Sequence, residues 1–278
     1  MTMDKISPAV ERTSVERVWA ISFRIICGFI FFLMLMPILI MIPLSFNAEP
    51  YFTFTPGMLA LDPNAFSMRW YAQLWNEPLW REAFKNSALI GVFATSIATP
   101  IGTLAALGLA RSNLPAKPLI MAVILSPMIV PIIVVAASIY FFFTMIGLAQ
   151  TYTGLILVHA MLGTPLVVTT VLATLSNLDP SYARAASSLG ASPMTTFRKV
   201  TLPLISPGII SGAIFAFATS LDEIVVTIFL SSVDQRTVPR QMFTGIREQI
   251  SPAILAASTV LIVIAILIMI VTQSLRRR

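Results

Sequence analysis

Six apolar runs dominate the chain, at about 21–46, 83–110, 118–145, 154–177, 207–231 and 252–274. A helix rising 1.5 Å per residue needs roughly 20 residues to cross a hydrocarbon core of ~30 Å, and each run meets that length. In such a core every backbone N–H and C=O must find a partner within its own segment, so runs of this kind are helical. Hydrophobic residues make up 57% of the 278-residue chain and charged residues 11%. A soluble domain could not hide that much apolar surface. The chain therefore reads as an all-α integral membrane protein with six transmembrane helices.

Six spans place both termini on one side. Lys5, Arg12, Arg17, Arg24, Arg111, Lys117, Arg184, Arg198, Lys199 and Arg276 to Arg278 fall on one face of that topology, and the remaining six basic residues on the other. Basic residues concentrate on the cytoplasmic side, which puts the termini and the polar interval 179–205 there. The chain then divides into a cytoplasmic tail (1–20), a first transmembrane helix with a long external loop (21–82), a five-helix core (83–275) and a basic C-terminal tail (276–278). Charges spread through the first twenty residues, and the long apolar run behind them, do not suit a cleavable signal. The net charge of +6 sits in membrane-flanking loops, so it does not imply nucleic acid.

Prolines interrupt several runs. Pro37 and Pro43 predict a kink in the first span, and Pro127 and Pro131 near mid-depth free backbone carbonyls in the third. Small residues crowd the second span and favour close helix packing. The external loop carries Trp70, Trp75 and Trp80, which suit an interfacial aromatic belt or contact with an outside partner.

The interval Asp179–Gly208 is the one long polar stretch with ordered helix signals. Asp179-Pro180 reads as an N-cap followed by proline in the first turn. Tyr182, Ala185, Ala186 and Leu189 share one face of a short helix, and Gly190 stands where a left-handed residue would end it. Ser192-Pro193 starts a second helix, Pro203 is expected to stop it, and Ser206-Pro207 to open the fifth span. Two short helices on a membrane surface, with small side chains outward, have the form of a docking element.

This stretch resembles the EAA loop of bacterial ATP-binding-cassette importer permeases. That pattern reads Glu-Ala-Ala, three residues, glycine, nine residues, then aliphatic-x-Leu-Pro. Ala185, Ala186, Gly190, Val200, Leu202 and Pro203 match it without gaps, while Arg184 replaces the glutamate. Phe66 to Tyr71 resembles the segment that precedes the core in the same family. The resemblance implies a type I importer permease fold in which the loop forms a coupling helix on a separate ATPase dimer. It also implies a bacterial inner-membrane location, a second and non-identical permease, and a periplasmic solute-binding protein. No cofactor is expected in this chain, and ATP-Mg belongs to the ATPase.

Asp222 and Glu223 are the costliest residues to place in lipid. They lie about two-thirds along the fifth span, where an ionisable group costs roughly 2.5 kcal/mol or more and seeks a partner or water. They read either as a structural pair or as lining groups of a path for a cationic solute, hydrated by Ser220, Thr219 and Thr227. The run Ser220 to Thr227, and Thr237 to Arg247 after it, are similar to spermidine/putrescine-type permeases. That resemblance implies a polyamine solute and a path role for Asp222 first and Glu223 second. Related permeases of the group carry amino acids, opines or aminophosphonates.

Other chemistries lack their motifs. The chain has no Gly-x-x-x-x-Gly-Lys-Ser/Thr, no His-Glu-x-x-His and no Gly-x-Ser-x-Gly, and its single cysteine, Cys27, lies in an apolar run. An intramembrane serine protease would have to use Ser192 or Ser220 with the lone His159. A stand-alone secondary transporter would leave the capped helix–Gly–helix loop without a task.

Overall fold

The computed structural model describes residues 14–110, 114–248 and 251–276, which are predominantly helical. Arg111 and most of the proposed N-terminal tail lie outside the described residues. The first span, α1 (Ser14–Leu44), begins earlier than the apolar run suggested and takes in the end of that tail. It keeps Pro37 and Pro43 within its helix, and its side chains are largely exposed. Among the described residues its main packing is against the C-terminal helix, and it sits at the edge of the bundle.

The external loop is structured. Thr55 caps the short helix α2 (Pro56–Leu59), and Asp62 caps a single 3-10 turn. Next comes α3 (Arg69–Asn76), followed by α4 (Pro78–Leu109) with proline in its first turn. Trp70 and Trp80 are not belt residues. They are buried in a cluster with Leu74, Ala83, Val238 and Ala253. The Trp70 indole donates to the Asn47 carbonyl at 2.7 Å. Trp75 alone of the three is exposed.

The third apolar run is two helices. α5 (Lys117–Ile129) and α6 (Ile132–Met145) meet at an angle of 100°. The run was expected as one span with carbonyls freed at its prolines, and it folds as a broken one. Pro131 cannot donate to the preceding turn, and it also bars Val130 from helical geometry, which is extended at φ −71°, ψ 136°. Among the described residues, five helices are long and apolar enough to cross a membrane, and the bent pair makes a sixth if counted as one span.

α4, α7 (Tyr152–Ser176) and α10 (Leu202–Asp222) form the central bundle. Its core is Ala94, Ala98, Ala106, Val167, Val168, Val171 and Ala216, mostly small or β-branched. Backbones approach closely at two glycines on facing helices. A Cβ on Gly163 would stand 2.8 Å from the Ala216 Cβ, and one on Gly212 2.8 Å from the Val167 Cα. Dispersion between such close backbones holds helices together where lipid removes most of the hydrophobic driving force.

The fifth span is also broken. After Asp222 the chain is extended at Glu223, then resumes as α11 (Val225–Leu230), which packs on α6. One continuous helix over 207–231 was expected, and the break corrects it. α12 (Val238–Glu248) and α13 (Ala253–Arg276) complete the fold, with α12 lying across the ends of α4 and α13. The loop between α7 and α10 and the α3–α12 layer therefore occupy opposite ends of the bundle.

Candidate functional site

The polar loop between α7 and α10 folds as two helical segments. Asp179 Oδ1 accepts the Ser181 N–H at 2.8 Å, and α8 (Ser181–Ser188) follows. That hydrogen bond holds the exposed Asp179 carboxyl below its usual range. The helix ends in a Schellman turn. Gly190 N–H donates to the Ser187 carbonyl at 3.0 Å, and Ala191 N–H to the Ala186 carbonyl at 3.1 Å. Gly190 carries φ +81°, as this turn requires. Ala186 and Gly190 are thus parts of one device, and the device sets the exit angle of the chain.

Ser192 Oγ accepts the Thr195 N–H at 3.3 Å and starts α9 (Pro193–Thr196). The expectation that Pro203 stops this helix is corrected. A π-helical turn at Phe197–Thr201 carries the chain directly into α10, with Pro203 in its first turn and Pro207 inside it. Proline lacks only a donor, and a first turn leaves that donor unused. The second segment is therefore continuous with a central helix. Arg184, Ala185, Gly190 and Pro203 are exposed, while Ala186, Val200 and Leu202 are partly covered. Leu189 is 89% exposed and Tyr182 54%. A rigid outward knob with apolar tips is the result.

The acidic pair lies elsewhere, at the break between α10 and α11. Glu223 Oε1 accepts the Val226 N–H at 2.8 Å and so caps α11. Thr227 Oγ1 donates to the Glu223 carbonyl at 3.2 Å. Asp222, one residue earlier, faces differently. It stands in the wall of a cavity of about 800 Å³ between α10 and α13, with Ser211 and Thr219 as the other polar groups among apolar ones. Breaks of this kind in membrane helices expose carbonyls and occur where they meet protein or water.

Ser220 and Thr227 are not in that cavity wall, contrary to the expectation that they hydrate the acids. Both are buried against His159 of α7. His159 Nδ1 is 2.7 Å from Ser220 Oγ, and Nε2 is 3.3 Å from Thr227 Oγ1. One ring thereby ties the last turn of α10 to α11 across the break. No sequence signal links Ser220 with His159, which lie on different spans. Their contact does not make a protease: His159 is 2% exposed, Ser220 is buried with it, and the second ring nitrogen faces a hydroxyl. Ser192 is a helix cap at the far end of α7.

The chain belongs to the family of binding-protein-dependent transport system inner membrane components, whose model matches residues 98–278. It is 31% identical over 242 residues to the spermidine/putrescine transport system permease protein PotC of Haemophilus influenzae, covering 87% of this chain and 91% of that one. It is 30% identical over 233 residues to the putrescine transport system permease protein PotI of Escherichia coli K12, covering 81% and 80%. In fold it matches a bacterial ABC transporter that imports the acidic polysaccharide alginate, with a TM-score of 0.69 over 95% of this chain and 98% of that chain at 14% identity. The chain is a multi-pass inner-membrane permease subunit. It is not an enzyme, and ATP hydrolysis belongs to a separate subunit.

Proposed function

We propose that this chain is a permease subunit of a polyamine importer. The α8–α9 hairpin seats in the ATPase that binds ATP-Mg, with Arg184, Ala185, Ala186 and Gly190 forming the knob. Val200, Leu202 and Pro203 join the knob to α10, so a push on the hairpin moves α10 as one body. A second, non-identical permease completes the pathway and covers the α10–α13 side, and a periplasmic solute-binding protein delivers solute to the α3–α12 end. Both termini lie with the hairpin on the cytoplasmic side.

In this reading Asp222 is the group that an ammonium passes, and Glu223 holds the break open while adding negative charge. Ser220 and Thr227 act through His159 by fixing the two half-helices. The observation that carries the reading is Asp222 in the wall of the α10–α13 cavity, beside the helix break. An acid at such depth is tolerated where water or a cation reaches it. The likeness to two polyamine permeases over most of the chain supports the same solute class.

Co-purification of the tagged chain from its native membrane, followed by a binding scan of any periplasmic protein recovered, tests this. The expected partners are an ATPase, a second permease and a binding protein that prefers putrescine or spermidine. A binding protein that prefers amino acids, opines or aminophosphonates overturns the solute. Recovery of the chain alone from gently solubilised membranes overturns the assembly.

A further inference from the structure

The α12 end of the molecule holds a second cavity, of about 460 Å³, whose wall is cationic. Arg236, Arg240 and Arg247 line it with Thr244, Phe243 and Ile228. No carboxylate lines it among the described residues, and the one ion pair among them, Lys85 with Glu82, lies on α4. Three guanidiniums around one cavity repel one another. Partial burial and the neighbouring Arg236 both push the Arg240 guanidinium below its ordinary value.

The three arginines are not equally engaged. Arg240 Nη1 donates to the Ser231 and Ser232 carbonyls at 3.0 and 2.6 Å, and to the Ser231 hydroxyl. It thereby satisfies carbonyls at the C-terminal end of α11, where a cation also meets the negative end of the helix dipole. Arg240 is structural. Arg236 gives one Nη1 hydrogen bond to Gln241 Oε1 at 3.2 Å, while its Nε is enclosed without a partner. Arg247 is exposed and stands 5.9 Å over the Phe243 ring. Donor capacity thus remains on Arg236 and Arg247 in the cavity wall.

We infer that this cavity receives a carboxylate side chain of the solute-binding protein when that protein docks on the α12 end. Two guanidiniums with donors to spare in one cavity wall suit the two oxygens of a carboxylate. An amine solute is excluded as occupant, because the same three charges repel it. The inference rests on the importer reading, which puts the binding protein on this face. It adds that docking depends on charge and on this pocket.

The test uses the assembled complex in nanodiscs and reads ATPase stimulation against the concentration of the co-purified, solute-loaded binding protein. Arg236→Gln with Arg247→Gln is expected to raise the half-maximal concentration about tenfold or more, and to flatten its dependence on salt. Arg247→Glu is expected to weaken docking further. Arg247→Cys is expected to form a disulfide with a cysteine placed at one acidic position of the binding protein. The quantity of assembled complex is the folding control, and a cysteine variant that assembles but gives no such cross-link at any acidic position overturns the inference. Wild-type affinity and salt dependence in the double variant also overturn it, while stimulation of the wild type leaves the importer reading standing. A defect that disappears in nanodiscs of phosphatidylcholine alone assigns the pocket to an anionic lipid headgroup and refutes the docking role. Absence of stimulation in the wild type refutes the importer reading itself.

Discussion

Gly190→Val isolates the role of the hairpin turn. Gly190 sits at φ +81°, and a Cβ built there meets nothing within 4 Å. The added Cβ therefore meets open space, and the main effect is conformational. Placing an L-residue in the left-handed region costs about 1–2 kcal/mol, with a β-branched residue at the upper end. That lowers the fraction of molecules with the Schellman turn closed by roughly fivefold to thirtyfold relative to open alternatives. The turn sets the exit of the chain from α8 while packing of α8 on α9 and the π turn opposes its opening, so docking should fall by up to a similar factor. The assay is solute-stimulated ATPase of the reconstituted complex, with co-purification of the ATPase as a second readout. Gly190→Asn, which tolerates left-handed geometry, should retain most of the coupling. Gly108→Ala, equally open but inside α4, should be neutral or mildly stabilising. Wild-type stimulation and wild-type ATPase retention in Gly190→Val would refute the reasoning.

Asp222→Asn should lower uptake of a cationic solute by about tenfold or more while assembly persists, since one charge pair in a partly wet site contributes ~1–4 kcal/mol; unchanged uptake at equal expression would return Asp222 to a structural role. His159→Ala should lower the melting temperature of the purified complex through loss of two hydrogen bonds of about 1 kcal/mol each, and His159→Gln should recover part of it. Gly163→Leu should reduce the yield of folded protein in size-exclusion chromatography, as overpacking against Ala216 costs about 1–3 kcal/mol. The depressed Asp179 carboxyl contributes its cap fully above the unfolded-state value and loses it only as pH falls through the lower folded-state value. ATPase co-purification should therefore be flat between pH about 6 and 8 as far as Asp179 is concerned, and a drop in that range absent from Asp179→Ala would contradict this.

Much of the fold was legible because lipid leaves few options. Apolar length alone marks the spans, and Ser192, Asp179 and Gly190 take the cap positions their residue types suggest. What was not legible depended on partners distant in sequence. Pro127 and Pro131 announce a weakened helix, but the 100° turn needs α11 to pack on α6, and no local signal encodes that. The break at Glu223 has no proline or glycine to mark it. Its one trace is a carboxylate three residues before the amide it caps, easily read instead as a buried charge on a continuous helix. Pro203 misled because a proline that ends one helix and one that begins the next look alike, and the π turn before it decides between them. His159 could be flagged as buried. That its partners are Ser220 and Thr227, and that they straddle the break, follows only from the packing of α7 on α10 and α11.

The central claim is tested most directly by uptake of radiolabelled putrescine and spermidine into proteoliposomes holding the assembled complex, with ATP inside and the loaded binding protein outside. The account predicts accumulation that requires ATP and the ATPase subunit, and that is lost in Gly190→Val and in Asp222→Asn. Accumulation that proceeds without the ATPase, or no polyamine uptake by a complex that the binding protein stimulates, would contradict it.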